Sequence, residues 1–199
     1  MSQAYDAIYT ANPRKWGGGQ RDRFAFNNMR LSDVAPGAAL LDIGCGNGHT
    51  LRFMSHYWKE TALYGIDLSP VAISLAQAKL PQAHLSACAL ADYEPGITFD
   101  VILLLGVAEH FEDIPVHLRK VRELLSDGGY VYLEVPNCLA YNAGDEGYRP
   151  TAYQMEWHLK RDTWENIIRD SGFTIERSIR GPSVEMEFIW IITAKTESE

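Results

Sequence analysis

Cysteine is scarce in this chain. Its 199 residues include 3 cysteines, Cys45, Cys88 and Cys138, odd in number and far apart. That spacing fits neither a disulfide framework nor a CxxC metal site, and a reducing cytoplasm is the simpler setting. Long apolar runs are missing too: VILLLGVA at 101–108 is far too short to span a bilayer. The opening MSQAYDAIYT has neither the basic region nor the apolar region of a signal peptide. Together these predict a soluble, cytoplasmic protein with no membrane partner. Basic residues are outnumbered, 18 Lys and Arg against 26 Asp and Glu, for a formal net charge of −8. That balance argues against broad binding to a nucleic-acid backbone. No GxxxxGKS or GxxxxGKT loop is present to cradle phosphates, and the 6 histidines show no HExxH-type spacing, so no metal site is expected.

What is present is the composition of an ordinary globular domain, 46% hydrophobic and 22% charged, of a length that suits one domain. Residues 1–21 are rich in aromatics and glycine, and the triple glycine at 17–19 is expected to be mobile. Residues 22–34 read as a helix stopped by Pro36-Gly37. ALLDI (39–43) is a short continuous apolar run, the pattern of a strand buried on both faces. Helical spacing follows over 49–58, then a strand at ALYGID (62–67) and a helix opened by Ser69-Pro70 that runs to about Lys79. Weak and strong strands at 83–87 and 99–105 precede an amphipathic helix at 114–125, with Asp127-Gly128-Gly129 as its stop. YVYLEV (130–135) is the next strand, and a long polar and aromatic loop covers 136–160. A helix at 161–172 leads to two last strands, 173–179 and 185–194, with no helix between them.

Strands alternating with helices predict a doubly wound α/β fold, a mostly parallel sheet finished by an antiparallel pair. In such sheets ligands sit at the carboxyl ends of the strands, beside the switch in strand order. Asp42, Gly44, Asp67, Cys88 and Leu105 all fall near such ends.

The stretch LLDIGCGNGHTL (40–51) places Gly44, Gly46 and Gly48 between a buried strand and a helix start. A tight turn alone would use such glycines. Bare backbone there also lets a flat ligand lie against the main chain, while helix N-terminal amides point to the same place. The spacing is GxGxG, and His49 stands where a dinucleotide-binding loop would carry its last glycine. Asp67 closes the very next strand, where a carboxylate can accept both hydroxyls of an adenosine ribose. The pattern therefore favours a ligand with adenosine and no pyrophosphate.

The order LLDIGCGNG, YGIDLSP, FDVILLLGVAEH and LRKVRELLSDGGYVYLEVPN resembles the class I S-adenosylmethionine-dependent methyltransferases over about residues 38–194. The resemblance implies a Rossmann-like, seven-stranded sheet in the order 3-2-1-4-5-7-6, its last strand antiparallel. It implies one methyltransferase domain over 1–199, with 1–35 as an N-terminal cap and 136–160 as a substrate-side loop. S-adenosylmethionine would be the cofactor and S-adenosylhomocysteine the product. Asp42, Gly44, Cys45, Gly46 and Gly48 would lie against its methionine part, Asp67 would hold the ribose, and Leu68 would pack on adenine. Cys88-Ala89 occupy the place where many relatives carry an acid and a small residue for the adenine amino group, a departure from the pattern. Leu104 and Leu105 follow the fourth strand, where a backbone carbonyl commonly meets the cofactor.

Methyl transfer requires chiefly alignment of the acceptor, with a base only if the acceptor must lose its proton early. His110, in GVAEHF, and His158, in EWHLKRDTW, are the base candidates; both segments resemble the subgroup that contains ubiquinone-pathway O-methyltransferases. Glu109 is placed to orient His110 or to touch substrate. Structural roles compete for each of them. Tyr9, Trp16, Tyr141, Tyr153 and Trp157 flank the sheet and are candidates for closing over an organic acceptor. The fourth strand lacks the Asp/Asn-Pro-Pro-Tyr/Phe stretch of DNA amino-methylating enzymes, which points to a small molecule, free or borne on a carrier. Oxygen or nitrogen is the expected accepting atom, although these residues do not set it. A monomer or a homodimer would serve. The competing readings are a non-catalytic cofactor-binding or partner subunit that keeps the fold and, disfavoured by GxGxG, a nicotinamide oxidoreductase.

Overall fold

The structure is a computed structural model that describes residues 2–15, 19–28, 36–137, 145–150, 155–180 and 187–194. The chain clusters into two compact units, Met1–Leu103 and Leu104–Glu199. A seven-stranded sheet has the order β3-β2-β1-β4-β5-β9-β8, and β6 and β7 form a separate two-stranded sheet.

In the first unit, apolar residues along both faces make β1 (Ala39–Ile43) an interior strand, with Leu40, Leu41, Asp42 and Ile43 all buried. It pairs in parallel with β2 (Ala62–Asp67), Asp42 against Gly65 and Ile43 against Ile66. β2 pairs in parallel with β3 (His84–Ala87), Asp67 against Ala87. This register brings the carboxyl ends of the three strands level. β4 (Phe99–Leu105) follows, and its Asp100 Oδ2 accepts a hydrogen bond from Ala39 N at 2.8 Å. Two N-terminal helices, α1 (Ser2–Ala11) and α2 (Gly19–Asn28), precede the strands. α3 (His49–Ser55) links β1 to β2 and buries Leu51 and Met54, one turn apart on one face. α4 (Pro70–Lys79) starts where Ser69 Oγ caps Ala72 N at 3.0 Å, with Pro70 at its first position.

In the second unit, α5 (Ile114–Leu124) is capped by Asp113, whose Oδ1 accepts from Val116 N at 3.0 Å. Its buried face is Ile114, Leu118, Val121 and Leu124, the period of an amphipathic helix. β5 (Leu125–Pro136) pairs antiparallel with β9 (Glu187–Ala194), and β8 (Phe173–Arg180) pairs antiparallel with β9. β6 (Gly147–Pro150) and β7 (Met155–His158) form a hairpin, Gly147 opposite His158. α6 (Arg161–Asp170) packs on α5 and β8. Glu165 pins it to β9 by accepting from Trp190 Nε1 at 3.2 Å and from Arg161 and Arg169.

The sheet is the Rossmann-like order predicted, displaced by two in numbering because the β6–β7 hairpin intervenes. Several expectations are corrected. The N-terminal flank forms α1, which the glycine and aromatic content had concealed. The helix expected at 22–34 begins earlier and is described over Gly19–Asn28; positions 29–35 lie outside the described residues. The helix at 49–58 stops at Ser55, since Tyr57 N and Trp58 N both turn back to Met54 O. The Asp127-Gly128-Gly129 stop lies inside β5, which begins at Leu125, directly after α5. The presumed loop 136–160 contains β6 and β7.

Candidate active site

Three strand ends in the first unit are stitched by their own backbone. Gly44 N and Cys45 N both donate to Ile66 O, at 2.8 and 2.9 Å, and Cys88 N donates to Asp67 O at 3.0 Å. Asp42, the glycine loop, Asp67, Leu68, Cys88 and Ala89 thus form one neighbourhood. Asp42 is buried, and Leu68, Cys88 and Ala89 are half-buried. Asp67 is the hub: Oδ2 accepts from Gly46 N at 2.9 Å and Oδ1 from Ser69 N at 2.8 Å. Burial raises its pKa above the ordinary carboxylate value, opposed by the Ser69 and Gly46 amides.

Gly46 has φ +52°, a left-handed conformation, and a β-carbon there would overlap the Tyr9 hydroxyl. Gly48 has φ +74°, and a β-carbon would come within 2.9 Å of Ala76 Cβ on α4. The first glycine therefore makes room above the loop and the second lets α4 pack beneath it. The buried Cys45 thiol, its pKa pushed up by burial, lies over Gly65.

A loop of bare backbone flanked by two acidic side chains suits a ligand with a diol and an ammonium group. Asp67 has the acceptor capacity for the first and Asp42 for the second. The donor set therefore fits S-adenosylmethionine.

The second unit holds the histidine candidates. Leu104 and Leu105 are buried at the end of β4, and Gly106 N donates to Glu134 O at 2.8 Å. A short helical turn, Ala108–His110, buries Ala108 and Glu109. His110 Nδ1 lies 3.0 Å from Met155 O on β7, and since a carbonyl only accepts, that nitrogen carries the proton. Nε2 is then the basic nitrogen, 3.5 Å from Glu109 Oε1. Burial lowers the His110 pKa, opposed by the bond to Met155 and by the Glu156 charge. Trp157 Nε1 donates to Phe111 O at 2.9 Å, a second tie between the turn and the hairpin.

His158 is buried at 4% exposure, and its Nε2 has no hydrogen-bond partner. A buried imidazole nitrogen left unpaired is costly. Trp157 lines a cavity of about 360 Å³ with Ile114, Pro115, Leu159, Thr163 and Ile167, and with Glu112 and Asp113. Among the described residues no group of three or more His, Cys, Asp or Glu side chains is clustered for a metal ion. Trp16, Tyr141 and Tyr153 lie outside the described residues.

Tyr9, expected to touch an acceptor, lies on the glycine loop of the first unit. Sequence reasoning missed its neighbours there. Asp6 Oδ1 accepts from Ser69 Oγ and Val71 N, and Asn47 Nδ2 donates to Pro13 O. The available signal was Tyr5, Ile8 and Tyr9, spaced to share one helical face.

Comparison with known proteins agrees with this fold. The family model described as Methyltransferase domain matches residues 20–178. Trans-aconitate 2-methyltransferase of Rhodopseudomonas palustris (strain HaA2) is 27% identical over 130 residues, 62% of this chain and 48% of the relative. Ubiquinone biosynthesis O-methyltransferase of Xanthomonas campestris pv. campestris (strain B100) is 30% identical over 132 residues, 60% of this chain and 54% of the relative. The chain thus spans about half the length of these curated relatives. Among solved structures, the 1,6-didemethyltoxoflavin-N1-methyltransferase of Burkholderia thailandensis, with bound 1,6-didemethyltoxoflavin and S-adenosylhomocysteine, superimposes with a TM-score of 0.76. That match is 19% identical and covers 98% of this chain and 87% of the other, so it speaks for the fold. By its family match, its strand order and its glycine loop, this chain belongs to the class I methyltransferase domain family, whose cofactor is S-adenosylmethionine.

Proposed function

We propose that this chain transfers a methyl group from S-adenosylmethionine to an oxygen or nitrogen of a small organic molecule. The observation that supports this reading is the Asp67 carboxylate, which accepts from the Gly46 amide at 2.9 Å and so stands beside the glycine loop. The relatives' names support the acceptor class, since they specify an organic acid, an O-methyltransferase and an N1-methyltransferase.

When bound, the cofactor supplies a methyl group activated on a sulfonium. Asp67 accepts the ribose hydroxyls, and Asp42 accepts the amino group. Gly44–Gly48 presents backbone to the methionine part, while Leu68, Cys88 and Ala89 border the adenine. No acid stands at Cys88, so adenine would be read there by main-chain groups or by Asp92. Held in line, the acceptor gains about 7–11 kcal/mol from proximity and orientation alone. His110 Nε2 takes the acceptor's proton, the Glu109 carboxylate 3.5 Å from that nitrogen stabilises the imidazolium that forms, and a positioned base of this kind contributes about 10²–10⁴-fold. His158 Nε2 gives or accepts the hydrogen bond that positions the acceptor.

Among the described residues no helix is long and apolar enough to cross a membrane. The sparse, unpatterned cysteines support action in a reducing cytoplasm.

Calorimetric titration with S-adenosylhomocysteine, with NAD as control, tests the reading. Micromolar binding of the first and none of the second supports it and leads to an acceptor screen with phenols, amines and carboxylates. Binding without turnover on any acceptor would favour a non-catalytic subunit. NAD binding would overturn the reading.

A further inference from the structure

The cavity of about 360 Å³ in the second unit lies beside the start of α5. Its size is within the range of small-molecule sites, about 300–1,000 Å³. Ile114, Pro115, Leu159 and Ile167 give it apolar walls. Thr163 also lines it, but the hydroxyl already donates to Glu146 Oε1 at 2.6 Å. Trp157 adds an indole whose position is held on two sides. Its Nε1 donates to Phe111 O at 2.9 Å, and the Tyr148 ring stands 4.9 Å away across the hairpin.

Two exposed carboxylates, Glu112 and Asp113, complete the lining. Asp113 is partly accounted for, since its Oδ1 caps α5 through Val116 N. Glu112 has no such role. Among the described residues no Lys or Arg lines the cavity or pairs with either acid. The cavity therefore joins apolar walls and an aromatic ring to negative charge that nothing described balances.

We propose that this cavity holds the cationic end of the acceptor, an ammonium group on an apolar body. The walls take the body, the indole attracts the cation, and the two acids balance its charge. A carboxylate ligand would meet two like charges there, and a neutral one would leave both acids unbalanced. An ammonium beside two carboxylates keeps its proton and has no free electron pair. This end is thus recognised, and the methyl group is taken elsewhere on the molecule. Glu112 follows His110 by two residues, so the cavity adjoins the segment that carries the candidate base. The acceptor role rests on the methyltransferase reading, whereas the binding of an ammonium ion does not.

The test is calorimetry on the full chain with benzyltrimethylammonium, which has no proton to lose. Benzyl alcohol and benzoate are the neutral and anionic controls. The ammonium is expected to bind about fivefold or more tighter than the alcohol, with benzoate weakest. Glu112→Gln combined with Asp113→Asn removes both charges and keeps the cap, because an Asn side-chain oxygen accepts as Asp does. That variant should bind the ammonium about tenfold more weakly, the loss of two exposed ion pairs, with the alcohol and S-adenosylhomocysteine unaffected. Equal affinity for the three probes, or an unchanged ammonium affinity in the folded double variant, would overturn the proposal. Ammonium binding without S-adenosylhomocysteine binding would keep the cation site and remove its acceptor role. The reverse result would remove the cation site and leave the methyltransferase reading standing.

Discussion

The main-chain amide of Gly46 and the carboxylate of Asp67 are 2.9 Å apart, so the loop after the first strand is held by the last residue of the second. The bond fixes the loop to the end of the second strand. It also orients a carboxylate whose other oxygen is already engaged by Ser69 N. Acceptor capacity is left over, since an ionised carboxylate has about four lone-pair sites.

Asp67→Ala is expected to weaken S-adenosylhomocysteine binding by about tenfold or more, as loss of hydrogen bonds to a charged acceptor does. Calorimetry gives the affinity, and a thermal melt run alongside separates loss of binding from loss of fold.

Binding should also depend on pH in a particular direction. Burial raises the Asp67 pKa, so the carboxylate takes up a proton at a higher pH than an ordinary aspartate. Affinity for S-adenosylhomocysteine should therefore begin to fall at a higher pH on acidification than an exposed carboxylate would set. Stability moves the other way. A group whose folded pKa is raised contributes stability below its unfolded pKa and loses it as pH rises through the folded value. Titrations and melts across the acid range check both signs.

Gly65→Ala tests the packing behind the loop. A β-carbon there would lie 2.9 Å from each of Cys45 Sγ, Leu51 Cδ1 and Leu85 Cδ2. Overpacking of this kind costs about 1–3 kcal/mol. Urea unfolding should show the loss, and Leu85→Ala in the same chain should recover part of it.

His110→Ala and His158→Ala are expected to leave S-adenosylhomocysteine affinity unchanged and to lower turnover. For His110 the loss should be about 10²–10⁴-fold if its Nε2 is the base. Its pKa is lowered by burial, so the wild-type rate should hold as the pH falls into the range where an ordinary histidine gains a proton. A pH–rate profile checks this, and unchanged rates in either variant would remove that residue from the mechanism.

Much of this was legible before any coordinates. ALLDI, ALYGID and FDVILLL are apolar over short continuous spans bounded by glycine or polar residues, which leaves an interior parallel strand as the simple solution. Ser69-Pro70 and Asp113 announce helix starts through local hydrogen bonds, so local sequence suffices there. GxGxG followed by an acid at the end of the next strand marked the cofactor loop for the same reason: its chemistry depends on residue types at fixed spacing.

The N-terminus was harder to read. SQAYDAIYTA is a weak helix former whose partners, Ser69 and Gly46, are far away in the chain, and only folding brings them within reach. The β6–β7 hairpin is likewise short and polar, and its ties to Phe111 and His110 are long-range.

The sequence by itself determined the main strand and helix segments, the glycine loop and the acid beside it, because strand periodicity and helix capping follow from patterns repeated over a few residues; the strand order came from the family resemblance. Only the tertiary structure decided that Tyr9 rests on Gly46, that His110 presents Nε2 as its basic nitrogen, and that His158 keeps an unpaired nitrogen in the interior. Those are contacts between distant segments, and the energy that selects them is packing and desolvation, which no local pattern encodes.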